Sequence, residues 1–114
     1  MKMSKKYGIT FKKIILKNYS GFKCEYSTIP GSYCAADLLE TFRVEAPYLL
    51  EEIDTVLKGE YYDEIFLPDF GFSELRFDPP NAIFNNDFTI PLTELKILLE
   101  EWIEFMKKEK FNMK

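Results

Sequence analysis

The chain has 114 residues, a formal net charge of −4, and 46% hydrophobic and 17% aromatic side chains, with eleven Phe and seven Tyr. That length and aromatic content fit one folded domain over residues 1–114 and exclude a disordered chain. No apolar run approaches the roughly 18 residues of a membrane helix and no signal-type apolar segment follows the first lysines, so the expected location is the cytoplasm, with no membrane partner.

Charge is sorted into blocks. Residues 1–23 hold seven lysines and no acid, whereas residues 24–106 hold eighteen acids and four basic residues, a net −14. A body this acidic attracts basic partners and repels nucleic acid.

In chain order, residues 1–6 read as a loose basic end. The runs Ile9 to Leu16 and Phe22 to Thr28 flank the turn formers Asn18-Tyr19-Ser20-Gly21 and predict a β-hairpin. In the second run Phe22, Cys24 and Tyr26 share one face, expected to be buried, and Lys23, Glu25 and Ser27 share the wet face. Ser32 is the expected N-cap of a helical region over Tyr33 to Lys58, either two short helices or one kinked helix. Its apolar stripes are Ala35, Leu38, Leu39 and Phe42, then Leu49, Leu50, Ile53, Val56 and Leu57. Pro47 suits the first turn of the second helix and Gly59 its stop.

Three extended runs follow, Tyr61 to Leu67, Phe72 to Phe77 and Ala82 to Ile90, joined by Pro68-Asp69-Phe70-Gly71 and Asp78-Pro79-Pro80-Asn81. Such short, turn-rich connections predict an antiparallel meander. A last helix spans about Pro91 to Lys110, with Leu95, Leu98, Leu99, Trp102, Phe105 and Met106 on one stripe and Glu94, Glu100, Glu101 and Glu104 on the other face. The expected fold is α+β, an antiparallel sheet of about five strands packed against two to three helices, with Trp102 and Leu98 against the sheet.

Catalytic signatures are sparse. Asp69 followed by Glu74-Leu75-Arg76 echoes the acid pair and basic residue of metal-dependent nucleases, but the basic residue is Arg, which cannot give up a proton. A Pro-Asp-x-Gly turn beside a strand accounts for the same residues. Asn85-Asn86-Asp87 lacks the glycine and glutamate spacing of a calcium loop and reads as a polar turn or strand end. With no His and two Cys ten apart, zinc lacks its usual ligands, and Cys24 and Cys34 read as reduced thiols, Cys24 filling core space. No cofactor is expected. The lysine block carries few interleaved aromatics and reads as a solvated strand face or an internal partner for the acidic body.

What remains is a surface. Tyr61, Tyr62, Asp63, Glu64, Asp69, Phe70, Phe72 and Glu74 gather aromatic and acidic residues within fourteen positions, the mixture that anchors a basic protein partner. The face formed by Glu94, Glu101 and Glu104 is the second place for such a contact.

The order Tyr61-Tyr62-Asp63-Glu64-Ile65, a sheet, then Ile90-Pro91-Leu92-Thr93-Glu94-Leu95 leading into Leu98-Leu99-Glu100-Glu101-Trp102-Ile103-Glu104-Phe105 resembles small bacterial immunity proteins of contact-dependent growth inhibition and related polymorphic toxin systems. The resemblance covers the second half of the chain. It implies a non-enzymatic cytoplasmic protein that binds one cognate toxin domain, often a nuclease, and blocks it. Two other classes stand beside it: a metal-dependent phosphodiesterase using Asp69 and Glu74, and an acidic interaction module of another pathway.

Overall fold

In the computed structural model, residues 2–17, 19–43, 45–60, 67–70, 73–85 and 88–111 are described; for residues 19, 20, 67–70, 73, 74, 110 and 111 the description is of the backbone. The elements run α1 (Met3–Lys6), β1 (Thr10–Leu16), β2 (Tyr19–Glu25), α2 (Ser32–Thr41), α3 (Ala46–Leu57), β3 (Leu67–Phe70), β4 (Ser73–Asp78), β5 (Asn81–Phe84), β6 (Phe88–Pro91) and α4 (Leu92–Phe111). The class is α+β, as expected, with all strand pairs antiparallel.

The single sheet of five strands is corrected. β1 and β2 form a two-stranded hairpin, and β3-β4-β5-β6 form a separate four-stranded sheet. Helix α2 packs against β2 and α4 packs against β1. Helices therefore cover the hairpin where a continuous sheet would have placed further strands.

Three boundaries also differ from the reading, the first being that Tyr19, Ser20 and Gly21, read as turn formers, lie in β2, which ends at Glu25 and not at Thr28. The run Ala82 to Ile90 is two strands, because Asn85 adopts φ 54°, a left-handed conformation that Asn tolerates better than most residues, and Phe84 pairs with Phe88 across the turn. Pro68 and Asp69, expected in a turn, lie in β3, whose register against β4 shifts between Leu67 and Phe70. A proline suits that place, since an edge strand with an irregular register does not need its missing N–H. Of the run Tyr61 to Leu67, residues 61–66 lie outside the described residues.

The four-stranded sheet buries alternate residues. Leu75 sits opposite Phe84, and Phe77 opposite Ala82, which in turn faces Ile90; all five are at most 1% exposed. On α4, Leu92, Leu95, Leu98, Leu99 and Trp102 are fully buried at helical spacing, and α4 packs along α3 through the stripe of Leu49, Ile53 and Val56. Trp102 also reaches the hairpin, with ring centroids 5.1 Å from Phe11 and 6.3 Å from Phe22. Leu57, at the end of the α3 stripe, is exposed.

The helical region resolves into two helices, with Pro47 in the first turn of α3. At its end Gly59 takes φ +76°, its N–H donates to Val56 O, and the Glu60 N–H donates to Thr55 O. That pair of bonds closes the helix with a left-handed residue, the conformation glycine adopts at no steric cost.

Ser32 is not the N-cap of α2. Gly31 occupies that position at φ +82°, and a Cβ there would collide with the Phe88 ring. The buried Ser32 hydroxyl instead accepts from the Ser27 N–H at 2.9 Å and donates to Gly8 O at 3.3 Å, tying the start of α2 to the exit of β2 and the approach to β1.

Residues 3–6, expected to be loose, form a helical turn docked on α4. The Glu101 carboxylate accepts from the Met3 and Ser4 N–H groups at 2.8 and 3.1 Å. Lys6 Nζ lies 2.9 Å from both Glu94 oxygens, and the Tyr7 hydroxyl donates to Glu94 at 2.6 Å. The Tyr7 and Lys6 hydrogen bonds hold the Glu94 carboxyl below its usual range. Its contribution to stability is therefore complete above the ordinary carboxylate value, about 4.3, and is lost as pH falls through the lowered one. Burial, followed by the bond to Glu94, pushes the Tyr7 phenol up, so its contribution to stability is complete below about 10 and is lost as pH rises from there through the raised value.

Glu101→Gln is expected to cost about 1.5–3 kcal/mol of local stability, because the amide removes the charge and keeps one accepting oxygen where the carboxylate uses two. The measurement is amide hydrogen exchange: faster exchange over residues 3–7, with the amides of β5 and β6 unchanged.

Candidate functional site

The eight residues singled out from the sequence are placed unevenly. Tyr61, Tyr62, Asp63, Glu64 and Phe72 lie outside the described residues. Asp69 and Phe70 are on β3 and Glu74 is on the adjacent antiparallel strand β4, where Phe70 pairs with Ser73 and the register shifts between Leu67 and Phe70. On the second candidate face, on α4, Glu94 and Glu101 are engaged by the N-terminal segment, while Glu104 is exposed.

The lysine block is paired in part with the acidic body. Besides Lys6 with Glu94, Lys12 meets Glu25 at 3.0 Å and Lys13 meets Glu109 at 3.5 Å. Exposed pairs of this kind add little stability, typically about 0–1 kcal/mol each, but they fix where the positive charge lies.

A groove of about 560 Å³ opens between β2 and α2. Its strand side is Lys23, Cys24, Glu25 and Tyr26, and its helix side is Tyr33, Ala36, Asp37 and Glu40. The helix residues follow from periodicity: Tyr33, Ala36, Asp37 and Glu40 stand at i, i+3, i+4 and i+7, while Ala35, Leu38, Leu39 and Phe42 point into or against the core. The sheet side follows from where β2 ends. Tyr26, expected on the buried face with Phe22 and Cys24, lies one residue beyond the strand and is 60% exposed. It meets Tyr33, itself 41% exposed, edge to face, with centroids 5.0 Å apart and planes at 88°.

The floor of the groove is neutral and the rim is charged. Burial, then the nearby charge of Glu40, pushes the Cys24 thiol up, so it stays protonated at neutral pH. Cys24 is 2% exposed and fills core space as expected, while Cys34, half-buried, accepts from Asn85 Nδ2 at 3.6 Å. The Tyr33 phenol is held above its ordinary value by partial burial and then by the Asp37 charge. Glu25, Asp37 and Glu40 outnumber Lys23, so the groove carries net negative charge.

Sequence reasoning missed this site. Its signal was the polar stripe Tyr33, Asp37 and Glu40 opposite the apolar stripe of the same helix, together with an aromatic residue just past the end of a strand.

Among the described residues no helix is long and apolar enough to cross a membrane, and no group of three His, Cys, Asp or Glu side chains is placed to hold a metal ion. Comparison with family models, curated proteins and solved structures finds no match to this chain.

Proposed function

We propose that this chain is an immunity protein that binds and neutralises a cognate bacterial toxin domain, one that acts on nucleic acid, in the cytoplasm. The observation that carries the reading is the joining of exposed aromatic rings to carboxylates on a body of net −14. Protein interfaces use aromatic side chains as anchors, and complementary charge gives them rapid and selective association. A domain that cleaves nucleic acid must present positive charge to phosphate, and an acidic inhibitor meets that same charge.

The contact surface of this proposal comprises Tyr61, Tyr62, Asp63, Glu64, Asp69, Phe70, Phe72 and Glu74, and the β2–α2 groove is a second candidate region. Helix α2 links the groove to the strands that carry Asp69, Phe70 and Glu74, because it packs against β2 as well as against β3 and β4.

The test is co-production with the toxin domain encoded next to the gene for this chain. Growth restored to the toxin-producing cells, with a complex of the two purified proteins, is the expected result. No restored growth and no complex with that domain overturns the proposal.

A further inference from the structure

We infer that the tip of the β1–β2 hairpin is a peripheral membrane contact, in which Ile15 and Leu16 enter the acyl-chain boundary of an anionic lipid surface while neighbouring lysines meet its headgroups. The contact is separate from the toxin surface proposed above. Ile15 is 66% and Leu16 is 62% exposed at the end of β1, and because consecutive strand residues point to opposite faces, the tip is apolar on both sides. Packing stops short of it. On one face Phe11 meets Trp102 and Phe105, Lys13 reaches Glu109 near the end of α4, and Ile15 stands next in that row, exposed. On the other face Lys12 and Leu16 are exposed, with Ile14 half-buried between them.

Charge selects the occupant. Residues 1–23 hold seven lysines and no acid. Lys12 and Lys13 are bridged to Glu25 and Glu109, but Lys17, directly after Leu16, and Lys23, opposite Lys12 on β2, are exposed and form no ion pair among the described residues. The acids are held back from the tip. Glu25 pairs with Thr10 at the far end of the hairpin, about 20 Å from Leu16 at the usual rise of a strand and twice the reach of charge at about 0.1 M salt, and the nearer Glu109 is engaged by Lys13.

A lipid surface fits these side chains better than the other anionic partners. Nucleic acid would take the lysines on its phosphates, but it stacks its bases on aromatic rings, and Ile15 and Leu16 offer none. An acidic protein surface laid on one face of the strand leaves the apolar residue of the opposite face in water. A bilayer surrounds a tip. Such a contact needs no spanning segment, because its strength is the sum of the apolar area buried at the interface and the attraction of lysines to anionic headgroups.

The experiment sediments the full chain with vesicles of phosphatidylcholine alone and of an equal mixture with phosphatidylglycerol. Expected is affinity about tenfold or more higher for the anionic vesicles at about 0.1 M salt, falling several-fold at about 0.5 M. Changing Ile15→Ser and Leu16→Ser together is expected to weaken binding about tenfold or more, and Lys17→Ala or Lys23→Ala roughly threefold to fivefold each. These side chains are exposed, so the fold is kept. In the Leu16→Trp chain, lipids brominated on the acyl chain are expected to quench fluorescence that they leave intact in the unsubstituted chain, whose Trp102 is buried. No preference for anionic vesicles, binding that the double substitution leaves unchanged, absence of quenching in the Leu16→Trp chain, or tighter binding to an RNA oligonucleotide or an acidic peptide than to the anionic vesicles overturns the inference.

Discussion

Replacing Trp102 with alanine is expected to cost about 3–5 kcal/mol, a large part of the total stability of a domain this size. Trp102 is fully buried, and its ring lies between α4 and the hairpin, 5.1 Å from Phe11, 6.3 Å from Phe22 and 6.0 Å from Phe105. The hairpin depends on this contact because two strands without a third are marginal in water. Removing the ring therefore opens a cavity and loosens β1 and β2 together. Trp102→Phe is expected to cost less. The indole N–H finds no acceptor among the described residues, and deleting a buried unpartnered donor recovers about 1–3 kcal/mol that offsets part of the lost packing. Urea unfolding of the two variants checks both statements. A loss under about 1 kcal/mol for Trp102→Ala would mean that the ring does not hold the hairpin to α4.

Association with the cognate toxin domain is expected to slow by about tenfold or more as salt rises from about 0.05 to 0.5 M, since complementary fields accelerate encounter and salt shortens their reach. Asp63→Ala and Glu64→Ala are expected to slow association further in the low-salt range. Tyr61→Ala and Phe70→Ala are expected to speed dissociation, because aromatic anchors act after encounter. An acid that is desolvated against a basic partner costs about 2–5 kcal/mol when truncated, while one at the rim changes mainly the rate of association. Stopped-flow or surface-based kinetics across the salt series separates the two kinds of residue. Rates indifferent to salt and to all four substitutions would place the contact away from residues 61–74. The α4 face is then a poor second choice, because Glu94 and Glu101 are engaged by residues 3–7. The β2–α2 groove becomes the next surface to mutate.

Local information determined the three longer helices α2, α3 and α4. The spacing of Leu49, Ile53 and Val56, and of Leu95, Leu98, Leu99 and Trp102, marks core faces because a helix returns a side chain to the same side every three or four residues. Pro47 and Gly59 act on the backbone directly, so the bounds of α3 were legible without knowledge of its neighbours. The turn at Asp78 to Asn81 was legible for the same reason, and so was the pairing of β1 with β2, although Tyr19, Ser20 and Gly21, read as its turn, extend the strand.

What only the tertiary structure decided depends on partners far along the chain. Residues 3–6 form a helical turn because Glu101 reaches their N–H groups from the last helix, 97 and 98 positions away. The strands divide into two sheets because α2 and α4 lie against the hairpin, and no pattern within β1 or β2 records that. Alternation alone gave Tyr26 the same face as Cys24, yet the strand ends at Glu25 and the ring turns out to meet Tyr33. The groove exists only where that strand end and that helix face come together. Alternation and helical period set which way a side chain leaves its own backbone, whereas packing between elements sets what it meets there.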